Sequence, residues 1–186
     1  MPIRNDRARW GAMSQAFHWL IVVMIIVQAM LALIFKQMHR GPETAALIGV
    51  HKSLGMTILA IAALRIMWRW ANPVPELPRT LRPYERAFAR LTHGALYALL
   101  FAMPLTGWLG SSASGFKVRW FNLFAIPNPL AKDRSLGHAL YATHSLLAIA
   151  LGVILVLHIA AAVRHHWLLK DDILRRMLPG RMGRNA

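Results

Sequence analysis

The sequence predicts an all-α integral membrane protein, a bundle of four transmembrane helices. Two observations carry this prediction: four long apolar stretches, and the polar, turn-rich connections that separate them. Apolar residues make up 56% of the 186 residues, above the roughly 45–50% of ordinary globular domains. We expect a single membrane domain over residues 1–186, because the chain is too short for two ordinary domains.

Each apolar stretch is long enough to cross a bilayer, which takes about 20 mostly apolar residues. The four spans are expected at approximately 17–35, 47–67, 91–109 and 140–163. Gly41 and Pro42 follow the first span, and the proline-rich segment 72–83 follows the second. The small polar segment 111–115 and the prolines of 127–129 are expected to interrupt the chain before the fourth. The alternating strands of a membrane β-barrel are absent from the sequence.

Composition excludes several classes of protein. The chain has no cysteine, which rules out disulfides, cysteine-bound zinc and iron–sulfur clusters. Its net charge of +15 does not indicate nucleic-acid binding, since the basic residues flank apolar stretches and no soluble domain carries a basic face. The lipid bilayer is the predicted environment, and no nucleic acid is expected as a partner.

The distribution of lysine and arginine predicts the orientation. The N-terminus contributes three, the connection between the second and third spans six, and the C-terminus six, together 15 of the 22 basic residues. With four spans these segments share one side, which the positive-inside rule makes cytoplasmic. Both termini are therefore expected in the cytoplasm. The first span is expected to be an uncleaved anchor, because it is longer than the apolar core of a signal peptide.

Four histidines lie in the spans at two matched depths. His144 and His158 share the fourth span, 14 residues apart, which places them on one helix face within about 40° and separates them by about 21 Å. His18, at the cytoplasmic start of the first span, matches the depth of His158. His51, near the opposite side, matches the depth of His144.

Paired histidines that face each other across a helix bundle can occupy both axial positions of a haem iron. A lone histidine in a span is an interhelical hydrogen-bonding group or a proton carrier about as often as it is a haem ligand. Zinc would need a closer cluster, and a proton relay would be expected to include acidic residues in the spans, where there are none. The sequence therefore predicts a four-helix bundle that binds two b-type haems.

The segments around these histidines resemble the bacterial cytochrome b561 family. FHWL at His18, VHKSLG at His51, ATHSLL at His144 and LHIAAAVRHHW from His158 onward are similar to its four ligand segments, and the tail DDILRRMLPG also matches. The resemblance covers nearly the whole chain, except for the poorly matched connection between the third and fourth spans. Hydrogenase-type cytochrome b subunits are more distantly similar.

The resemblance implies a di-haem protein of the bacterial inner membrane, with haem iron bound by His18, His51, His144 and His158. It also implies electron exchange with ubiquinone, and members close to this pattern are superoxide oxidases, which pass electrons from periplasmic superoxide to quinone. His165 corresponds to a residue near the cytoplasmic quinone. His93 matches a family histidine but is assigned no ligand role.

The connections on the periplasmic side are unexpectedly basic, with seven lysines and arginines, Lys52 included, against Glu43 and Asp133. We call these basic connections the basic mouth. Such a surface attracts small anions such as superoxide, and Lys52 beside His51 is the candidate residue for this attraction. Attraction to lipid headgroups or to an acidic protein partner explains the same charge equally well. The titratable His165 and His166 suit proton supply to quinone, although their position beside Trp167 is also that of ordinary interfacial residues.

Three functions are consistent with the sequence. The first is a self-contained superoxide:ubiquinone oxidoreductase. The second is an electron-transfer subunit that links a periplasmic dehydrogenase or hydrogenase to the quinone pool. The third is a haemless transporter or assembly protein whose histidines carry protons. The first is favoured over the second because no extramembrane domain is present for docking, although the loops leave a protein partner open.

Overall fold

The computed structural model describes residues 2–76 and 81–179. Its four long helices are α1 (Ala12–Gln37), α2 (Pro42–Trp70), α3 (Pro83–Ala113) and α4 (Arg134–Trp167). Each is long and apolar enough to cross a membrane, so the predicted all-α, four-span membrane fold is confirmed. Three basic residues used to predict orientation, Arg79, Arg181 and Arg184, lie outside the described residues.

All four helices are longer than the apolar stretches that predicted them. The apolar stretch marks the part in contact with hydrocarbon, whereas helical hydrogen bonding continues into the interface until a residue ends it. Pro42 and Pro83 open α2 and α3, where the missing proline N–H would have no helical partner. The segment 111–115 was expected to interrupt the chain, but its first three residues form the last turn of α3.

The helices pack in chain order: α1 against α2, α2 against α3, and α3 against α4. The buried apolar core joins Ile21 and Met24 of α1 to Ile58 and Ala62 of α2 and Leu100 of α3. Among the described residues, α4 contributes nothing to this core, and its backbone packs closely against neither α1 nor α2. The bundle is therefore tight among its first three helices and open between α4 and the α1–α2 pair.

Three basic segments meet at one end of the bundle. The Asn5 amide of the N-terminal segment donates to the Pro73 carbonyl, after α2, at 3.1 Å. The Gln15 amide at the start of α1 donates to the carbonyl of Arg176, in the C-terminal tail, at 3.0 Å. The N-terminus, the α2–α3 connection and the C-terminal tail thus lie together, as the even number of spans requires. We call this the inner end and the opposite one the outer end.

A small hairpin, not predicted from the sequence, covers part of the outer end. Strands β1 (Val118–Trp120) and β2 (Phe124–Ile126) pair antiparallel, and each is too short to show a strand pattern. The buried Ser53 hydroxyl of α2 accepts the Phe121 N–H at 2.9 Å and lies 3.0 Å from the Arg119 carbonyl. The Trp120 indole donates to Thr57 of α2 at 3.0 Å. The hairpin is therefore fixed to α2, the helix that carries His51.

We expect Ser53→Ala to lower the midpoint of thermal unfolding in detergent, followed by circular dichroism. The substitution removes the buried hydroxyl that accepts the Phe121 N–H, and a typical hydrogen bond contributes about 0.5–1.5 kcal/mol. Ser145→Ala is the matched control, because the exposed Ser145 hydroxyl donates to a carbonyl of its own helix, that of Tyr141. Equal midpoints for the two variants would contradict this role of Ser53.

Candidate functional site

The outer end holds a pair of facing histidines, His51 of α2 and His144 of α4, which we call the outer pair. Their ring centroids are 6.4 Å apart, with an angle of 77° between the planes. The Phe35 ring of α1 packs edge-on against His51 at 5.3 Å. The structure therefore brings together the two histidines that depth matching assigned to this level.

The orientation of His144 is fixed by α3. Its Nδ1 atom lies 2.9 Å from the Met103 carbonyl and 3.2 Å from the Thr106 hydroxyl. A carbonyl only accepts, so Nδ1 carries the ring proton and Nε2 keeps its lone pair, as in histidines that bind a metal. A Cβ atom on Gly107 would come within 3.2 Å of the His144 ring, so any larger residue there would crowd this ring.

The inner end holds the second pair, His18 of α1 and His158 of α4, which we call the inner pair. Their ring centroids are 6.5 Å apart, with an interplanar angle of 67°. A third ring, His93 of α3, lies 5.4 Å from His158, while its Nδ1 atom lies 2.8 Å from the Ala89 carbonyl on its own helix. The second pairing expected from depth is also present, and His93 extends it to a cluster of three rings.

His18 has a cationic neighbour that sequence reasoning missed. A terminal guanidinium nitrogen of Arg65 lies 3.2 Å from His18 Nδ1. Arg65 had been counted with the basic residues of the α2–α3 connection, but it lies within α2 and points into the bundle. An arginine inside a span was the available signal, because such residues generally face the bundle interior and mark functional sites.

Both pairs have the spacing that a haem iron requires. An iron–imidazole bond of about 2 Å on each side, plus about 1 Å from each nitrogen to its ring centre, separates the centroids by about 6 Å. In each pair one ring comes from α4 and the other from α1 or α2, helices that do not pack closely against α4. Among the described residues, no three histidine or acidic side chains gather as a small metal ion would need.

Lys52 lies at the outer end, next to His51 in the chain. Its ammonium group lies 5.4 Å from the centre of the Phe116 ring, within cation–π range. Phe116 precedes the hairpin and is itself largely exposed. Lys52 is therefore half-buried at the outer end, beside Phe116.

His165 lies in the last turn of α4 at the inner end. Its Nδ1 atom is 2.5 Å from a carboxylate oxygen of Asp171, and the side chains are only 13% and 17% exposed. The neighbouring His166 has a buried Nδ1 atom without a hydrogen-bond partner among the described residues. The structure thus distinguishes the two histidines: His165 is held by a carboxylate, whereas His166 is not.

A four-helix membrane bundle with two inward-facing histidine pairs at different depths defines a membrane cytochrome of the b type. Residues 9–180 match the family model described as "Prokaryotic cytochrome b561". The chain belongs to this family, whose members bind b haem and transfer electrons within the membrane.

Two relatives illustrate the range of the family. The chain is 34% identical over 185 residues to "Cytochrome b561 homolog 2" of Escherichia coli (strain K12), covering 96% of this chain and 95% of that protein. It is 27% identical over 175 residues to "Probable superoxide oxidase CybB" of Yersinia pestis, covering 94% and 98%. Both alignments are nearly end to end, so the whole bundle is shared.

Proposed function

We propose that this protein is a di-haem superoxide:ubiquinone oxidoreductase. His51 and His144 would hold the outer haem, and His18 and His158 the inner haem. The observation that carries the proposal is the presence of two facing histidine pairs, at 6.4 and 6.5 Å, on opposite ends of one helix face of α4. When bound, a haem with two imidazole ligands takes up and releases one electron at a time.

Superoxide as the donor is supported by charge at the outer end. Lys52 lies beside the outer pair, and the outer connections are basic overall. An electropositive, low-dielectric mouth concentrates a small anion and raises its encounter rate. The name of the Yersinia pestis relative, "Probable superoxide oxidase CybB", supports the same electron donor. Two superoxide anions would each give up one electron and leave as dioxygen.

Ubiquinone as the acceptor is supported at the inner end by His165. One ubiquinone takes up two electrons and two protons to become ubiquinol. His165 is the candidate proton donor, because an imidazole can act as a general acid and the Asp171 carboxylate holds its ring in place. We infer that the protein lies in the bacterial inner membrane, with its inner end and both termini on the cytoplasmic side. Ubiquinone would bind at this cytoplasmic face.

We expect His51→Ala and His144→Ala to remove the same haem, and His18→Ala and His158→Ala the other. Each substitution deletes one of the two imidazoles that would hold a haem. Pyridine haemochrome analysis should give two haems per wild-type chain, and redox titration should show which midpoint each variant loses. One haem per wild-type chain would contradict the proposal, as would loss of the same midpoint in His144→Ala and His158→Ala.

We expect Lys52→Gln to slow haem reduction by superoxide while leaving haem content unchanged. In stopped-flow experiments on purified protein with quinone, the wild-type rate should also fall as salt rises, because the Debye length is only about 10 Å at 0.1 M. Lys170→Gln, which removes the same charge at the inner end, is the control.

Two outcomes of this experiment would count against the proposal. If the rate of haem reduction by superoxide changes neither with salt nor in Lys52→Gln, the basic mouth contacts lipid or protein instead. If superoxide fails to reduce the haems at all, the chain is instead an electron-transfer subunit that receives electrons from a periplasmic dehydrogenase or hydrogenase.

We expect His165→Ala to slow haem reoxidation by ubiquinone by roughly 10²-fold, the scale of a lost general acid, with both haems retained. Asp171→Asn should reproduce part of the effect, since it weakens the hold on the same ring. His138→Ala, an exposed histidine near the other end of α4, serves as control. A quinone rate unchanged in His165→Ala would exclude this residue from the site.

A further inference from the structure

Two arginines of α2, one helical turn apart, face the interior of the bundle at the inner end. Arg65 contacts His18 at 3.2 Å, and its Nε atom donates to the Tyr97 hydroxyl at 3.2 Å. The Arg69 guanidinium lies 5.7 Å from the ring centres of both Trp10 and Tyr97. Together these side chains line one small cavity beside the inner pair.

No acidic side chain balances these two cations. All seven acidic residues belong to the described part of the chain, and none forms an ion pair with Arg65 or Arg69. Among the described residues, the partners of the two guanidinium groups are neutral: a hydroxyl, an imidazole and aromatic rings. An uncompensated charge within a membrane bundle is costly, so the pair is suited to an anion that the protein itself does not supply.

The contact between Arg65 and His18 points to the same need. A guanidinium only donates, so His18 Nδ1 accepts in this contact. When a neutral histidine binds iron through Nε2, its remaining proton is on Nδ1, which then needs an acceptor. Arg65 must then turn to another acceptor, and the cavity it shares with Arg69 is the nearest place for one.

We propose that Arg65 and Arg69 bind the propionate carboxylates of the inner haem, an inference that rests on the proposed function. A b haem carries two carboxylates, which match the two guanidinium groups in number and charge. Arginine suits this role because its planar fork binds a carboxylate through two parallel hydrogen bonds. The Tyr97 hydroxyl, which lines the same cavity, is a further donor. A phosphate of an anionic lipid is the alternative with the same chemistry.

The first test is redox titration of the purified protein in Arg65→Gln and Arg69→Gln. Each variant should lower one of the two haem midpoints by about 59 mV, a tenfold change in a one-electron equilibrium, because an unbalanced carboxylate favours the more positive oxidised iron. Arg65→Lys keeps the charge and should recover most of the shift. Arg90→Gln, an exposed arginine early in α3, is the matched control and should leave both midpoints unchanged.

The second test separates carboxylate binding from a charge that is merely nearby. Protein produced with haem labelled with carbon-13 at its propionates should show a shifted carboxylate band in the redox-difference infrared spectrum of Arg65→Gln and not of Arg90→Gln. An unshifted band in Arg65→Gln, with less anionic phospholipid co-purified, would assign the arginines to a lipid phosphate and overturn the proposal. Unchanged midpoints in both α2 variants would also overturn it.

The two hypotheses fail in different ways. A wild-type protein with fewer than two haems refutes the proposed function before any arginine variant is measured. A wild-type protein with two haems, combined with arginine variants that match Arg90→Gln in both measurements, refutes only the assignment of the propionates.

Discussion

The distance between α4 and the α1–α2 pair is the constraint on which the rest of the structure depends. In the described part of the chain, α4 packs closely only against α3, and imidazole rings reach across its open side at two depths. Because His144 and His158 lie on one face of a regular helix, a gap of uniform width serves both pairs, whose centroid distances differ by only 0.1 Å. A shift of α4 would therefore alter both sites together.

Small residues between α3 and α4 maintain this asymmetry. A Cβ atom on Gly107 would press against the His144 ring, and one on Gly137 would come within 2.5 Å of the Ser114 hydroxyl. These glycines let two backbones approach closely, as is usual where membrane helices pack without a hydrophobic driving force. The remaining apolar core holds α1, α2 and α3 together, so α4 packs closely along one side only.

The two ends of the bundle are covered by different structures. At the outer end the hairpin is fixed to α2 and lies close to Lys52. At the inner end the C-terminal tail connects helices that otherwise do not pack: the Trp19 indole of α1 donates to the Met177 carbonyl at 2.8 Å, and Asp171 holds His165 of α4. Since Trp19 follows His18 and His165 lies two turns from His158, the tail supports both helices of the inner pair.

The sequence by itself determined the number of spans, their order and the depth of each histidine. Apolar length and helical periodicity are local properties, so four stretches of about 20 residues and a separation of 14 between His144 and His158 were sufficient. The depth argument also selected which histidines face each other, because a bundle of straight helices brings together residues at the same level. Recognition of the family rested on the segments around those same residues.

Tertiary structure alone decided which charged groups turn inward and where the chain deviates from helix. Arg65 lies inside the second apolar stretch, which favours an inward orientation, but only packing shows that it reaches His18. The contact between His93 and His158, the pairing of His165 with Asp171 and the binding of the hairpin to Ser53 all join residues through space. Hydropathy and periodicity describe one helix at a time, so contacts between elements become visible only once the helices are packed.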